Sequence, residues 1–531
     1  MARARNVAVV LLLAAVLSGL RGGEDAAHER PARAASTDHS VAVVLAREAQ
    51  QRRERAAARQ QVAREAEARR LRRSRTVRGA LRRAWLEQAI SRSTYEELRG
   101  VWWRANRDRQ RLSGTRRAEL GAVIAMAEGL ARERRLSAGR LDAVFLTIRR
   151  NREFWMTRAL PRPGARVTFG RDPVVFEYYA GRGLAIQPLA SFGKANALAG
   201  ACVRAASPHR CRPAALRRLL ERMVALGSER GGFLAWEYLV AFGGGSPPWI
   251  SAMTQATGAQ ALARGHRALG EQAFAGAARR ALGAFSAAPP VGIAVPSGDG
   301  ARYAMYSFAP DLQILNGELQ ALIGLRDVAR ITGSDRARRL YARGERVARR
   351  SVRAFDTGAW SLYSAGGAES TLSYHRLLAG FLDGLCQRTA RPTYCAAGQR
   401  FARYVAEPPR VRLLTPSRKL RPRQRGAIAF TLSKVSDVML QVRDRRGRVA
   451  LSRGLRGLPG GRHSVAWVPA HAGRHRVRIV AIGPNATRAV VRSTLRAETV
   501  STSKRKAKPS KATPATTRAR SSGNEHALGT R

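Results

Sequence analysis

The alternation of hydrophobic and polar positions changes its period several times along this chain. The first apolar run, Val7–Leu17, lies behind Arg3 and Arg5 and ahead of Ser18, Gly19, Arg21 and Gly22. A positive start before a short apolar stretch is the pattern of a secretory signal, here over 1–22. An N-terminal membrane anchor is the alternative, because no clean small-x-small cleavage site follows. No later segment approaches the roughly 18 apolar residues a membrane span needs. Residues 23–40 are polar and unpatterned. From about Val41 to Arg75 the chain is nearly all Ala, Arg, Glu and Gln, strong helix formers without a repeating large apolar residue, which predicts a solvated helix. Leu81, Trp85 and Ile90, then Leu98, Val101 and Trp102, then Leu120, Val123, Ile124 and Leu130 recur at helical spacing. Ser113-Gly114 and Ser137 to Gly139 interrupt the pattern. Residues 23–155 are therefore expected to form a basic helical lead-in ending in three or four amphipathic helices.

From 160 to 406, long helical patterns such as Pro213–Leu226, Ser251–Leu269, Gly317–Ile331, Ser334–Phe355 and Tyr374–Thr389 alternate with Gly- and Pro-containing loops that carry aromatics. Paired helices of similar length predict an (α/α) toroid, or barrel, with a cleft suited to a polymer at one end. After Pro408-Pro409 the period drops to 2. Seven short apolar-alternating runs between Val411 and Leu495, separated by DRRGR, GLPGG and PAHAGR turns, predict an immunoglobulin-like β-sandwich over 408–496. Residues 497–531 are rich in Ser, Thr, Lys and Arg and predict a disordered basic tail. The expected fold class is mainly α, with the β-sandwich appended.

Composition adds charge. Among 531 residues, 96 are Lys or Arg and 37 are Asp or Glu, a net +59. Such a chain attracts polyanions, though the arginine and alanine excess is also what a GC-rich coding bias produces. A signal sequence argues against nucleic acid as the partner. The four cysteines fall into two pairs of equal spacing, Cys202 with Cys211 and Cys386 with Cys395. Local disulfides formed in an oxidising compartment fit this spacing. Zinc is the competing reading, with His209 the nearest histidine.

Five stretches carry a resemblance. They are FEYYAGRGLAIQPLASFGKANAL (Phe176–Leu198), WISAMTQATGAQAL (Trp249–Leu262), YAMYSFAPDLQILNGELQALIGLRDV (Tyr303–Val328), FDTGAWSLYS (Phe355–Ser364) and SYHRLLAGFLDGL (Ser373–Leu385). In this order and spacing they resemble the C-terminal catalytic domain of the D-glucuronyl C5-epimerase family, as a secreted bacterial member. The resemblance implies an extracytoplasmic enzyme, membrane- or wall-associated or free. It implies inversion of C5 of glucuronate units in an acidic, glycosaminoglycan-like polysaccharide of the heparan sulfate type, without cofactor or metal. It implies no nucleic-acid partner, and no membrane insertion other than through an uncleaved N-terminal anchor.

That reaction removes the proton α to the carboxylate and returns one to the opposite face, so two proton carriers must flank the ring. The family's motif tyrosines match Tyr306, Tyr363 and Tyr374, and His375 follows the last. Tyr363 and Tyr374 are the expected carriers. Gln187 and Gln255 either orient sugar hydroxyls or satisfy backbone groups. Asn316 either contacts substrate or caps the next helix. Lys194, Arg182 or Arg302 would hold the substrate carboxylate.

Two positions depart from the family pattern. Ala304 and Met305 occupy the place of a glutamate pair, and Ser364, Ala365 and Gly366 stand where an arginine follows the tyrosine. Glu177, Glu237, Asp311 or Glu318 would have to replace the missing base. A weakened or re-targeted member therefore stays open, as do a polysaccharide lyase using the same carbanion and a non-catalytic glycan-binding protein. Asn485-Ala-Thr487 matches a glycosylation sequon by chance in a bacterial-looking chain.

Overall fold

A computed structural model describes residues 36–170, 172–203, 210–415 and 420–499. The expected signal segment 1–22 and the tail beyond 499 lie outside the described residues. Compact units divide at Arg73. The first unit contains helix α1 (Ser36–Leu71), whose described side chains are mostly exposed. Gln50 donates to Glu54 and Gln61 to Glu65, both at 3.0 Å, so local i to i+4 pairs support a helix with no apolar stripe.

The second unit, from Ser74, is mainly helical with a C-terminal β region. Helices α2 (Val77–Leu86), α3 (Arg92–Arg111), α4 (Gly114–Arg132) and α5 (Ala138–Thr157) come first. The Thr76 hydroxyl accepts from the Gly79 amide and Ser91 from Thr94, giving α2 and α3 the caps their sequences offer. Their apolar faces, including Leu81, Trp102, Leu120, Ile124 and Trp155, join the same core as the helices that follow. Helices α2 to α5 are thus packed onto the helices that follow.

A three-stranded antiparallel sheet follows: β1 (Arg166–Phe169), β2 (Asp172–Tyr179) and β3 (Gly183–Ile186). Helical periodicity concealed it, although the VVFEYY run of β2 is rich in β-formers. Helices then alternate as inner and outer partners: α6 (Pro188–Val203) with α7 (Pro213–Ala225), α8 (Ala252–Leu269) with α9 (Gln272–Ala281), α10 (Leu315–Thr332) with α11 (Asp335–Ser351), and α12 (Leu372–Thr389) with α13 (Pro392–Ala406). Short hairpins fall between pairs, β4 (Ser228–Arg230) with β5 (Phe233–Ala235), and β6 (Ala294–Ser297) with β7 (Gly300–Tyr303). The inner helices α6, α8, α10 and α12 lie side by side in that order. α8 and α10 are buried nearly all round over most of their length, as inner helices must be. Gly324 of α10 allows this approach: a Cβ there would meet the Ala256 carbonyl oxygen at 2.6 Å.

At the C-terminal ends of the inner helices, Asp327 accepts from Gln260 (2.7 Å), Arg264 (2.6 Å) and Arg388 (3.4 Å). Burial opposes its ionisation, yet these donors outweigh it and hold the carboxyl below the usual range. The arginines around this cavity of about 450 Å³ stand where helix dipoles favour cations.

The β region consists of β8 (Val411–Leu413), β9 (Gly426–Leu432), β10 (Ser436–Arg443), β11 (Val449–Leu458), β12 (Gly461–Trp467), β13 (Gly473–Ile482) and β14 (Arg488–Ala497). The strands form two antiparallel sheets, in the orders β11-β10-β13-β14 and β12-β9-β8. Phe430 and Ile428 from one sheet and Leu440 and Ile479 from the other share one apolar core. Lys434 fastens this region to the helices. Its buried ammonium donates to the carbonyls of Tyr404 (2.6 Å) and Glu407 (2.8 Å) at the end of α13 and lies 5.2 Å from the Trp360 ring centre.

Both cysteine pairs are disulfides, Cys202–Cys211 and Cys386–Cys395, which excludes the zinc reading and fits an extracytoplasmic setting. Among the described residues no helix is long and apolar enough to cross a membrane.

One buried ion cluster ties α5 to the β4–β5 hairpin and the loop that follows it. Glu237 takes two bonds from Arg140 of α5, at 2.6 and 2.8 Å, and one from Arg230 at 2.6 Å. Burial pushes its carboxyl up, but the two arginines outweigh this and hold it below the usual range. Glu237 is therefore occupied and does not serve as the missing base. Removing one partner strands a buried charge, so Arg140→Ala should destabilise the protein by about 3 kcal/mol in equilibrium urea unfolding. A loss below about 1 kcal/mol, the range of an exposed pair, would contradict this role.

Candidate active site

Because the inner helices run in one direction, the residues that precede or open them gather at the end opposite Asp327. Gln187 stands just before α6, Thr254 in the first turn of α8, Ile314 just before α10 and Tyr374 in the first turn of α12. Around them forms a second apolar cluster, separate from the main core, containing Tyr238, Trp249, Tyr306 and Ile314, with Tyr179, Met305, Phe308 and Tyr363 packed against it.

Five tyrosines meet here. The Tyr306 and Tyr363 hydroxyls are 3.4 Å apart. The Tyr363 ring meets Tyr374 edge-on with centres 5.0 Å apart. Tyr238 stacks on Trp249 at 4.1 Å, and its hydroxyl donates to Gln187 Oε1 (3.1 Å) beside Thr254 Oγ1 (2.7 Å). Gln187 Nε2 in turn donates to the Tyr179 hydroxyl (3.2 Å) and to Glu177 Oε2 (3.4 Å). Arg166 Nε lies 4.0 Å from the same Glu177 oxygen.

Burial raises the pKa of Tyr179, Tyr238, Tyr306 and Tyr374 above the ordinary phenol value. Tyr363 adds to the shift of Tyr306 and of Tyr374, and Glu177 adds to that of Tyr179, Tyr238 and Tyr374. These side chains are therefore held as phenols, suited to donating hydrogen bonds or a proton. Tyr374 is 40% exposed and forms the rim, whereas Tyr306 is only 9% exposed.

The lead-in helices position the β2–β3 hairpin that carries Glu177 and Tyr179. Buried Glu119 of α4 accepts from the Tyr178 hydroxyl (2.6 Å) and from the amides of Gly181 and Gly183 (both 2.7 Å). Burial, with Glu119 beside it, pushes Tyr178 up to about 12. Gly183 adopts φ +79°, and a Cβ there would meet Val123 at 2.5 Å and Asn151 at 2.7 Å, so only glycine fits.

Of the residues expected from sequence, Tyr306, Tyr363, Tyr374, Gln187 and Glu177 come together. The others do not. His375 is fully buried, stacked at 3.7 Å on Trp360. Its Nε2 donates to the Phe401 carbonyl and its Nδ1 accepts from the Ser361 hydroxyl, both at 2.8 Å, so neither nitrogen is free for substrate. Gln255 is also fully buried, accepting from the Trp236 amide (2.8 Å) and donating to the Leu234 carbonyl (3.0 Å); it satisfies backbone. Lys194 is exposed and donates to the Pro173 carbonyl at 3.2 Å. Arg302 lies on β7 and acts electrostatically on Glu318. Asn316 is the second residue of α10, after Ile314 as N-cap, and its buried Oδ1 has no partner among the described residues. Arg182 and Asp311 are exposed.

Glu318 is buried in α10, hydrogen-bonded by Gln313 at 3.2 Å, and burial raises it to about 7 despite Gln313 and Arg302. Met305, standing where the family has a glutamate, packs into the tyrosine cluster against Ser251. Sequence reasoning passed over Tyr179, Tyr238 and Arg166. The first two lay inside aromatic runs, FEYY and AWEY, with nothing to mark which ring faces the cleft. Arg166 was one arginine among many.

With this geometry established, comparison with known proteins decides the family. Residues 230–403, about a third of the chain, match the family described as D-glucuronyl C5-epimerase C-terminus. It is that segment, and not the chain as a whole, that matches the D-glucuronyl C5-epimerase family. It contains Tyr238, Tyr306, Tyr363 and Tyr374, and places this part of the chain among carbohydrate-modifying enzymes. Glu177, Tyr179 and Gln187 precede the matched epimerase segment. Among curated proteins none matches the chain. Two solved structures are similar at low levels. One is a GH76 alpha-mannanase from Bacteroides thetaiotaomicron, with 12% identity, TM-score 0.30, 42% of this chain and 61% of that one covered. The other is a cellobiose 2-epimerase from Bacillus thermoamylovorans, with 11% identity, TM-score 0.33, and 55% and 75% covered.

The buried, doubly bonded His375 yields a measurable signature. Burial lowers its pKa from 6.5 to about 4. The unfolded chain thus binds the proton more readily, and the contribution of this histidine to stability is lost as pH falls from 6.5 towards 4. Glu318 works in the opposite sense, its neutral form contributing stability that is lost as pH rises from 4.5 to about 7. Comparing unfolding free energies at pH 7 and pH 5 in the native protein and in His375→Gln isolates the first effect. The native protein should lose about 2 kcal/mol more than the variant over that interval. Equal losses would place the ring in contact with solvent.

Proposed function

We propose that this protein is an exported uronosyl C5-epimerase acting on glucuronate units of an acidic polysaccharide. In this reading the paired helices form an (α/α) toroid with its cleft at the tyrosine end, and the two β sheets form an immunoglobulin-like sandwich. The observation that carries the reading is the tyrosine cluster, with Tyr306, Tyr363 and Tyr374 in mutual contact and Glu177 joined to it through Gln187.

Glu177 takes the place of the carboxylate missing at Ala304 and Met305. It removes the C5 proton, and the electron pair passes into the substrate carboxylate. Tyr306 and Tyr363 donate hydrogen bonds to the charge that develops there, as preorganised donors in a partly dry site. Arg166, beside Glu177, is the available cation. Tyr374 then donates its phenolic proton to the opposite face of C5. Its exposure lets the phenolate recover a proton from water while Glu177 releases its own. Bonds and protons balance without a further reactant, and no group is expelled from C4. A lyase would break the C4–O bond instead.

Met305 favours a second reading. It fills the site of a family glutamate with an apolar side chain, which is also what a glycan-binding protein on an epimerase scaffold would tolerate.

Incubation with a glucuronate polysaccharide in heavy water separates these readings. Deuterium at C5 together with iduronate signals is the expected NMR result. Ultraviolet absorbance of a C4–C5 double bond would identify a lyase, and binding without either product a non-catalytic protein. Glu177→Gln and Tyr374→Phe should each lower kcat by about 10²–10⁴-fold, and Tyr306→Phe by about 10²-fold. Because Tyr374 works protonated and burial raises its pKa above 10.0, the alkaline loss of kcat should fall above pH 10, not in the neutral range.

A further inference from the structure

The outward face of the sheet β11-β10-β13-β14 carries an arrangement that the epimerase chemistry does not use. Arg443 of β10 stands directly opposite Arg476 of β13. Arg478 of β13 stands directly opposite Arg492 of β14, and Arg474 opposite Arg496. All six are exposed. The two central rows, Val449–Arg443–Arg476–Thr494 and Ser452–Gln441–Arg478–Arg492, hold no acid. At the edge, Glu498 lies 3.6 Å from Arg496.

Like charges directly opposite one another destabilise a sheet. An overall excess of arginine does not by itself create such pairs. The second sheet of the same region shows this, since its outward positions pair Ser464 with Ala429, Ala466 with Ala427, and Arg462 and Arg412 each with Thr431. Arg443, Arg476, Arg478 and Arg492 line a shallow groove of about 530 Å³. Beside the basic rows, Met439, Val480 and Val490 stand in register, with Met439 exposed, Val490 half-buried and Val480 buried.

We propose that this face binds a second stretch of the acidic polysaccharide, as an anchoring site separate from the tyrosine cleft. Same-face residues lie about 7 Å apart along a strand and neighbouring strands about 5 Å apart, a grid of guanidinium groups that a linear chain of carboxylates can cross. Guanidinium groups take carboxylate in two-pronged geometry. Nucleic acid fits less well, because the face presents no aromatic ring on which bases would stack. The choice of a uronate polymer rests on the function proposed above. Anchoring one part of the polymer raises the effective concentration of the rest at the cleft.

The test uses the full chain with Arg443→Gln, Arg476→Gln, Arg478→Gln and Arg492→Gln combined, and the corresponding four-lysine variant. The probes are hyaluronan, dextran as a neutral polymer, duplex DNA and a glucuronate tetrasaccharide. Hyaluronan affinity of the glutamine variant should fall about tenfold or more, the sum of several exposed ion pairs, with partial recovery in the lysine variant. KM on the polymer should rise while kcat, and both constants on the tetrasaccharide, stay unchanged. Without ligand the glutamine variant should melt no lower than the native protein, since a repulsion has been removed, and hyaluronan should raise the native Tm more. Unchanged hyaluronan affinity would overturn the proposal, as would DNA binding tighter than hyaluronan binding through the same arginines. Because polymer binding is also measured on Tyr374→Phe, loss of the epimerase reading and loss of the anchoring site give different results.

Discussion

The close approach of α8 and α10, where Gly324 lies on the backbone of Ala256, is the contact on which the arrangement of this protein depends. Two helices buried nearly all round cannot sit at a surface, so α9 and α11 must cover them and α6 and α12 must flank them. Once the four run in one direction, their termini separate two chemistries. Cations collect where helix carbonyls end, around Asp327, and the loops entering the helices bring the tyrosines together at the other end.

The cleft is not the work of those helices alone. Glu177 and Tyr179 arrive on a strand hairpin that the lead-in region holds through Glu119 and Asn151, whose amide donates to the Leu184 carbonyl at 2.7 Å. Arg140 and Glu237 fasten the same region to the helical array a second time. A site assembled from three parts of the chain is as rigid as the joints between them, and here buried ion pairs and amide hydrogen bonds add to the shared apolar core at those joints. Such joints lose most when one partner is removed. At the other boundary Lys434 serves similarly, its charge spent on the carbonyl end of α13.

Burial divides the polar groups of this protein by role. His375, Tyr303 and Gln255 are enclosed, and their hydrogen bonds serve the backbone or a neighbouring side chain. Tyr374 keeps two-fifths of its surface in solvent and Glu177 is half-buried, the condition under which a proton can be exchanged with water between turnovers. Adjacent positions therefore have opposite fates. Tyr374 and His375 differ by one residue, which on a helix turns the side chain by about 100°, from cleft to core.

Much of the fold could be read from the chain alone. The lead-in helices, the paired helical elements and the seven strands after Pro409 follow from periods of 3.6 and 2, because a half-buried helix or strand must repeat its apolar side at its own pitch. The cysteine pairing was legible too, since equal short spacing leaves little freedom. The motif tyrosines were visible through resemblance. What periodicity could not supply was the sheet β1-β2-β3, where β1 and β3 are only four residues long and the consecutive buried residues of β2 and β3 hide any alternation. Nor could it separate Tyr374 from His375, or show that Glu237 is taken by arginines while Glu177 faces the tyrosines. Those distinctions depend on which groups from distant parts of the chain become neighbours. Sequence states what each side chain can do, and only packing decides which of them is left free to do it.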